Sequence, residues 1–384
     1  MKTILAICLF TLAFAGGANA QEIAEDVHET VKARVVEVVS EKSEKIPGTD
    51  TLHNVSILKV EILKGEEKGK MLEIENDFVR LEKGDTFYLR RISPWDGGED
   101  LYSVADPDRT PALFILALIF VILTIIFGGK QGVRGLLSLA GSLLLIAFVL
   151  LPAILMGYSP VVVSIGVSSL IIILGSYITH GFNRTTTSAV VGMVTTILFA
   201  GAIAYLSIKA TGLTGYESDE ATYLNFNTQG GIDLAGLLLG GILIGLLGVL
   251  YDAAISQAIA VEELHKIAPH LPRRTIYSRA IRIGREHIGA LVDTLAIAYV
   301  GASLPLLLLF YASSESAMVI VNREVFSAEI VRTLVGSIGL ILAVPLTTLV
   351  ASWMLIKKPA GSADAKILQE EREALEHARH THKH

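Results

Sequence analysis

Gly236-Leu-Leu-Leu-Gly240-Gly241-Ile-Leu-Ile-Gly245-Leu-Leu-Gly248-Val-Leu-Tyr251-Asp252-Ala-Ala-Ile-Ser256-Gln257 is the stretch on which the reading of this chain turns. It lies in an apolar run, 233–260, longer than the roughly 20 residues a helix needs to cross the hydrocarbon core of a bilayer. Small residues recur four apart, which lets a neighbouring helix backbone approach closely. Inside the same run stand Asp252 and, four residues on, Ser256, a spacing that puts both on one helical face. An ionised carboxylate at membrane depth costs on the order of 3 kcal/mol or more, so it calls for a partner or a water-filled path.

A second carboxylate, Asp293, occupies a second apolar run, 287–312. At about 1.5 Å per residue, Asp252 is roughly 12 Å from the end of its run near Ala260, and Asp293 roughly 9 Å from the start of its own near His287. The two runs are antiparallel neighbours joined by one loop, so the carboxylates are expected in one layer. Were they close, one would keep its proton to a higher pH, and such a pair suits proton relay or cation coordination. The competing reading is structural: each aspartate bonds a neighbouring helix, or pairs with a cation such as Arg285. On the same side of the membrane, Thr179-His180-Gly181-Phe182-Asn183-Arg184-Thr185 joins two spans and is read as a polar plug near the aspartates. An equal alternative places His180 and His287 simply at the lipid–water boundary.

Composition places these runs in an integral membrane protein. Of 384 residues 52% are hydrophobic and 18% charged, and the mean hydropathy is +0.55, outside the usual range of soluble domains. Residues 1–20 read as a cleavable secretory signal, with Lys2, an apolar core from Ile4 to Ala15 and a small-x-small ending at Ala18-Asn19-Ala20. Cleavage there would remove Cys8, the chain's one cysteine, and with it any disulfide or thiol chemistry. Residues 21–107 follow another pattern, with alternation at Val55, Ile57, Leu58, Val60, Ile62, at Leu72 and Ile74, and at Phe87 and Leu89. The slip between Ile57 and Leu58 is the mark of a bulge or bend. Turn signals at Pro47-Gly48, Lys64-Gly65, Lys68-Gly69 and Gly84-Asp85 divide this region into about five short strands of a small antiparallel barrel or sandwich, OB-like in size.

Residues 108–358 divide into seven apolar runs: 111–128, 135–156, 160–179, 187–209, 233–260, 287–312 and 331–356. A cleaved signal would leave the β-domain outside and, after seven crossings, the C-terminus in the cytoplasm. Basic residues agree with that order. Lys130, Arg134, Arg184, the cluster from Lys266 to Arg285, and Lys357 with Lys358 fall inside, whereas the 210–231 loop outside is acidic. The basic 261–286 segment, interrupted by Pro269 and Pro272, reads as a loop and topology signal, with contact to anionic lipid as the next reading and nucleic-acid binding well behind. Ser327 followed by Glu329 fits a helix start, with Glu329 and Arg332 as a local ion pair. The tail, 359–384, is a charged helical pattern ending in His377, His380, His382 and His384. These could bind a divalent metal, but nothing fixes their geometry, and a solvated tail is the simpler reading.

The segments His180-Gly-Phe-Asn183-Arg184-Thr185, Gly245-Leu-Leu-Gly248-Val-Leu-Tyr-Asp252-Ala-Ala-Ile-Ser256 and Gly284-Arg285-Glu286-His-Ile-Gly289-Ala-Leu-Val-Asp293-Thr294 resemble the YibE/F family of bacterial membrane proteins. The resemblance implies a multi-pass protein of the bacterial cytoplasmic membrane with an outward β-domain. Family members often carry asparagine at the place of Asp293, which makes Asp252 the primary candidate. A fainter similarity to the membrane helices of SecF and the resistance-nodulation-division exporters lies in the Gly-rich helix leading to Asp252; there, intramembrane acids serve proton-driven export. The expectation is therefore a secondary transporter or permease for a small solute or ion. It would use Asp252 and Asp293, with Ser256, Arg285, His180, Asn183 and Arg184 as supporting residues. The alternative is a non-transporting scaffold whose β-domain binds an envelope partner; either could form a homo-oligomer through the small-residue face. No nucleophile–base spacing, P-loop, zinc motif or nucleotide fingerprint points to an enzyme or a cofactor.

Overall fold

The computed structural model describes residues 27–45, 52–77, 79–96 and 98–356. The signal-like segment, Pro47-Gly48 and the histidine-bearing tail lie outside these. The chain divides into two compact units, 1–120 and 121–384.

The first unit holds one five-stranded antiparallel sheet in the order β3-β2-β1-β4-β5. Its strands are β1 (Val27–Lys45), β2 (Leu52–Ile62), β3 (Met71–Asn76), β4 (Thr86–Ser93) and β5 (Leu101–Pro107). Alternation puts Ala33, Val35, Leu58, Val60, Ile74, Phe87 and Leu89 on one buried face. The slip at Ile57-Leu58 marks a bulge, but the extra residue sits in the opposite strand: Val38 pairs with Leu58 and Ser40 with Ile57, leaving Val39 bulged. The central strand β1 escaped the sequence reading because its Glu- and Lys-rich second half shows no apolar alternation. Two features hold β1 in place: its length lets it pair with both β2 and β4, and its Lys32 ammonium sits 2.5 Å from the Asp108 carboxylate. Asp108 also accepts from the Thr86 hydroxyl at 3.1 Å and the Thr110 amide at 3.2 Å. It thereby ties β1 and β4 to the first turn of the helix that follows.

The helices are α1 (Thr110–Leu145), which continues through a π-helical turn (Ile146–Leu150) into α2 (Leu151–Leu155), then α3 (Pro160–His180), α4 (Arg184–Thr211), α5 (Asp219–Asn227), α6 (Leu234–Ile267), α7 (Arg273–Ala302), α8 (Leu304–Tyr311), α9 (Ala317–Val321) and α10 (Glu324–Leu355). Among the described residues five helical stretches are long and apolar enough to span a membrane, or six if α7 and α8, bent by 65° at Ser303, count as one. The sequence divided α1 into two runs, 111–128 and 135–156. The structure breaks α1 between them: Gly129 has φ +53° and ψ −137°, outside the helical region. A Cβ on Gly132 would stand 2.2 Å from the Thr124 carbonyl oxygen.

The segment read as a loop, 261–286, is mostly helix. Only residues 268–272 interrupt it, with Pro272 capping α7. Pro269 and Pro272 do stop α6, but Ile276, Ala280 and Gly284, four apart, give α7 a buried stripe from its first turns. Arg273 then donates twice to the Ile356 carbonyl, at 3.0 and 2.6 Å, at the end of α10. At its other end α10 starts at Glu324, three residues before Ser327. The Glu324 carboxylate accepts from the amides of Thr214, Gly215 and Tyr216 at 2.7, 2.7 and 3.1 Å, and this anchor lets the helix begin early.

Helices α4, α6 and α10 form the centre of the second unit, flanked by α3 and α7. Close approach is achieved with small residues. A Cβ on Gly192 of α4 would lie 2.5 Å from the Thr347 hydroxyl oxygen and 2.8 Å from its Cα on α10, and one on Gly339 of α10 would lie 2.7 Å from Leu246 on α6. Gly192→Ala is therefore expected to force α4 and α10 apart and to cost about 1–3 kcal/mol, read as a lowered thermal midpoint of the detergent-purified protein; an unchanged midpoint would refute the close-contact reading. For the sheet, Lys32, then Thr110 and Thr86, hold the Asp108 carboxyl down at about 2 against an ordinary 3.8. A depressed carboxyl stabilises above its unfolded pKa, and that stabilisation is lost as pH falls through the folded value. The thermal midpoint of the sheet, followed by Trp95 fluorescence in a Trp353→Phe background, should thus fall less between pH 4 and pH 2 in Asp108→Asn than in the parent.

Candidate functional site

The helical spacing of α6 sorts its glycines onto two faces. Gly236 and Gly240 are buried, and a Cβ on Gly240 would lie 2.3 Å from the Ser164 oxygen of α3. Gly241, Gly245, Gly248, Asp252, Ser256 and Ile259 follow one another at three- and four-residue steps and are exposed. The glycines, Asp252 and Ser256 thus share one uncovered face. On one flank of that face, the Tyr251 hydroxyl donates to the carbonyls of Ile171 and Ile172 on α3 at 2.9 and 3.0 Å. Gly175 leaves room for that ring, since a Cβ there would lie 2.2 Å from the hydroxyl oxygen.

On the other flank is α7. The Gln257 amide donates to the Ala280 carbonyl at 2.7 Å, and a Cβ on Gly245 would lie 2.5 Å from the Tyr299 hydroxyl. These contacts make the two helices antiparallel: seven residues along α6 from Gly245 is Asp252, which counts back from Tyr299 to Val292, and five residues before Gln257 is again Asp252, which counts on from Ala280 to Arg285. Asp252 thus lies opposite the 285–292 stretch of α7, whose last residue precedes Asp293. Both side chains are exposed, and among the described residues neither has a hydrogen bond or ion pair. Arg285 is also exposed; eight residues from Asp293, it is roughly 12 Å along the helix and pairs with neither aspartate.

Two cavities are lined by α6 residues that precede and follow Asp252 in the chain. One of about 340 Å³ is lined by Gly248 and Tyr251 together with Ser138, Ser142 and Thr179. The other, about 450 Å³, begins at Ile255 and Ile259 and ends among His180, Asn183 and Arg184. The structure thus gathers His180, Asn183 and Arg184 around one cavity, while Asp252 and Ser256 line neither. Asn183 caps α4, its side chain accepting from the Thr186 amide at 2.7 Å. Among the described residues no group of three or more His, Cys, Asp or Glu could hold a metal.

The sequence model of the YibE/F-like protein family matches residues 116–357. The chain belongs to that family. The match takes in every helix from within α1 to the end of α10, and the sheet lies outside it. No curated protein and no solved structure matches the chain.

One charged cluster of this YibE/F-like chain was only half legible. Glu329 and Arg332 do pair within α10, and Arg332 also reaches Glu217 at 2.7 Å. Burial pushes the Glu217 carboxyl above its ordinary range, while Arg332 works against that rise. Its second oxygen is buried without a partner among the described residues. Nothing in the sequence signals a contact between residues so far apart.

If the uncovered α6 face is wet, Ser256→Cys in a Cys8→Ser background should react with a membrane-impermeant maleimide in opened vesicles, because thiol reactivity requires the hydrated thiolate. Ala258→Cys, at a fully buried position, should not. Equal protection of both would show the face to be sealed by lipid or protein.

Proposed function

We propose that the chain is a secondary transporter or permease for a small solute or ion, with Asp252 as the primary coupling group and Asp293 as its partner. The observation that carries this reading is the placement of Asp252. It stands in a long apolar helix, on an uncovered glycine face, opposite the stretch of α7 that leads to a second unpaired carboxylate. A carboxylate kept in an apolar setting without a protein partner is expensive, and a proton or cation taken up there would offset that cost. Counting α1 as two crossings at Gly129 and α7 with α8 as one gives seven spans. The basic residues around the α6–α7 turn then mark the cytoplasmic end, with the sheet on the outer side of the bacterial cytoplasmic membrane.

Proteoliposomes holding wild-type protein or Asp252→Asn, assayed with a panel of ions and small metabolites under an imposed pH gradient, test the reading. Gradient-dependent flux is expected in the wild type and at least tenfold less in the variant, a loss of about 1.4 kcal/mol or more. Equal flux in a stably inserted variant rejects the role of Asp252. No flux from either protein favours a membrane scaffold whose sheet binds an envelope partner.

A further inference from the structure

The 450 Å³ cavity at the start of α4 has a divided wall. Ile255 and Ile259 of α6 and Leu355 of α10 line one part, and polar side chains the other. In the polar part Glu262 is already occupied: it accepts from the Thr185 hydroxyl at 2.6 Å and pairs with Lys266 at 3.0 Å. Lys266 also pairs with Glu263 at 2.9 Å. The Arg184 guanidinium, by contrast, has no ion pair or hydrogen bond among the described residues. Nδ1 of His265 is buried with no hydrogen-bond partner there. The wall therefore carries two cations against one carboxylate, with an unused planar fork of donors and an orphaned imidazole nitrogen. The positive end of the 28-residue α4 helix adds to the same field.

From this geometry we propose that the cavity binds a phosphate-bearing anion, held by Arg184 with His265 and Lys266 in support. A guanidinium fork matches two phosphate oxygens at once, which an ammonium does not. The apolar wall beside it suits the glycerol and first acyl carbons of a lipid, and the polar wall suits the phosphate alone. The site is separate from the coupling role of Asp252, and binding is read without any flux, so failure of the transport reading leaves it standing.

The test titrates detergent-purified full-length protein with inorganic phosphate, dihexanoyl phosphatidylglycerol or the phosphate-free dihexanoylglycerol, following the thermal midpoint. A saturable rise with a phosphate ligand and none with dihexanoylglycerol is expected. A rise with inorganic phosphate assigns the free anion, and a rise with the phospholipid only assigns a headgroup. Arg184→Gln should weaken binding by about tenfold or more, the size of a lost charge-assisted hydrogen bond. Glu262→Gln, which removes the competing carboxylate and leaves Lys266 paired with Glu263 alone, should tighten it, and this variant decides the matter should Arg184→Gln fail to fold. No saturable shift in the wild type, an unchanged affinity in Arg184→Gln, or an unchanged or weaker affinity in Glu262→Gln overturns the proposal.

Discussion

The second unit depends on how closely helix backbones can approach one another. Lipid tails are as apolar as leucine, so helices in a bilayer gain little from burying apolar surface, and packing contact must hold them together. Gly192 under Thr347 and Gly339 under Leu246 provide that contact at the α4–α10 and α6–α10 crossings. Two hydroxyls inside this core bond within their own helix, Thr196 to the Gly192 carbonyl at 2.8 Å and Thr348 to the Val344 carbonyl at 2.6 Å, whereas those of Thr347 and Ser352 are buried with no partner among the described residues.

This packing leaves α6 with a covered and an uncovered glycine face. The covered one is used against Ser164. On the uncovered one, absent side chains make a shallow floor along which Asp252 and Ser256 are the only polar side chains before Glu263. Tyr251 and Tyr299 stand at its two flanks, one hydrogen-bonded to α3 and the other close above Gly245.

The two ends of the bundle are built differently. At the end holding Glu217, Glu324, Glu329 and Arg332, carboxylates are consumed by backbone amides and by one arginine. At the end holding Arg184, Lys266 and the start of α7, cations outnumber their partners; Arg273 is taken up by the Ile356 carbonyl while Arg184 is left over. Charge asymmetry in the sequence thus corresponds to a difference in what each end still offers to a ligand.

Apolar runs of bilayer length, the turn glycines of the sheet and the basic clusters are local properties, and the sequence alone determined them: a helix of given length and composition, or a glycine at positive φ such as Gly84, needs no distant contact to be recognised. Local patterns did not show β1 as the central strand, because its place rests on pairing with β2 and β4. Nor did they extend α7 back to Arg273, which depends on Ile276, Ala280 and Gly284 finding the bundle. Which glycine face of α6 is covered, that Arg332 reaches Glu217, and that Arg184 stays unpaired were decided only by tertiary structure. Each is a statement about what lies opposite a residue, and helical periodicity specifies the direction of a side chain but never its neighbour.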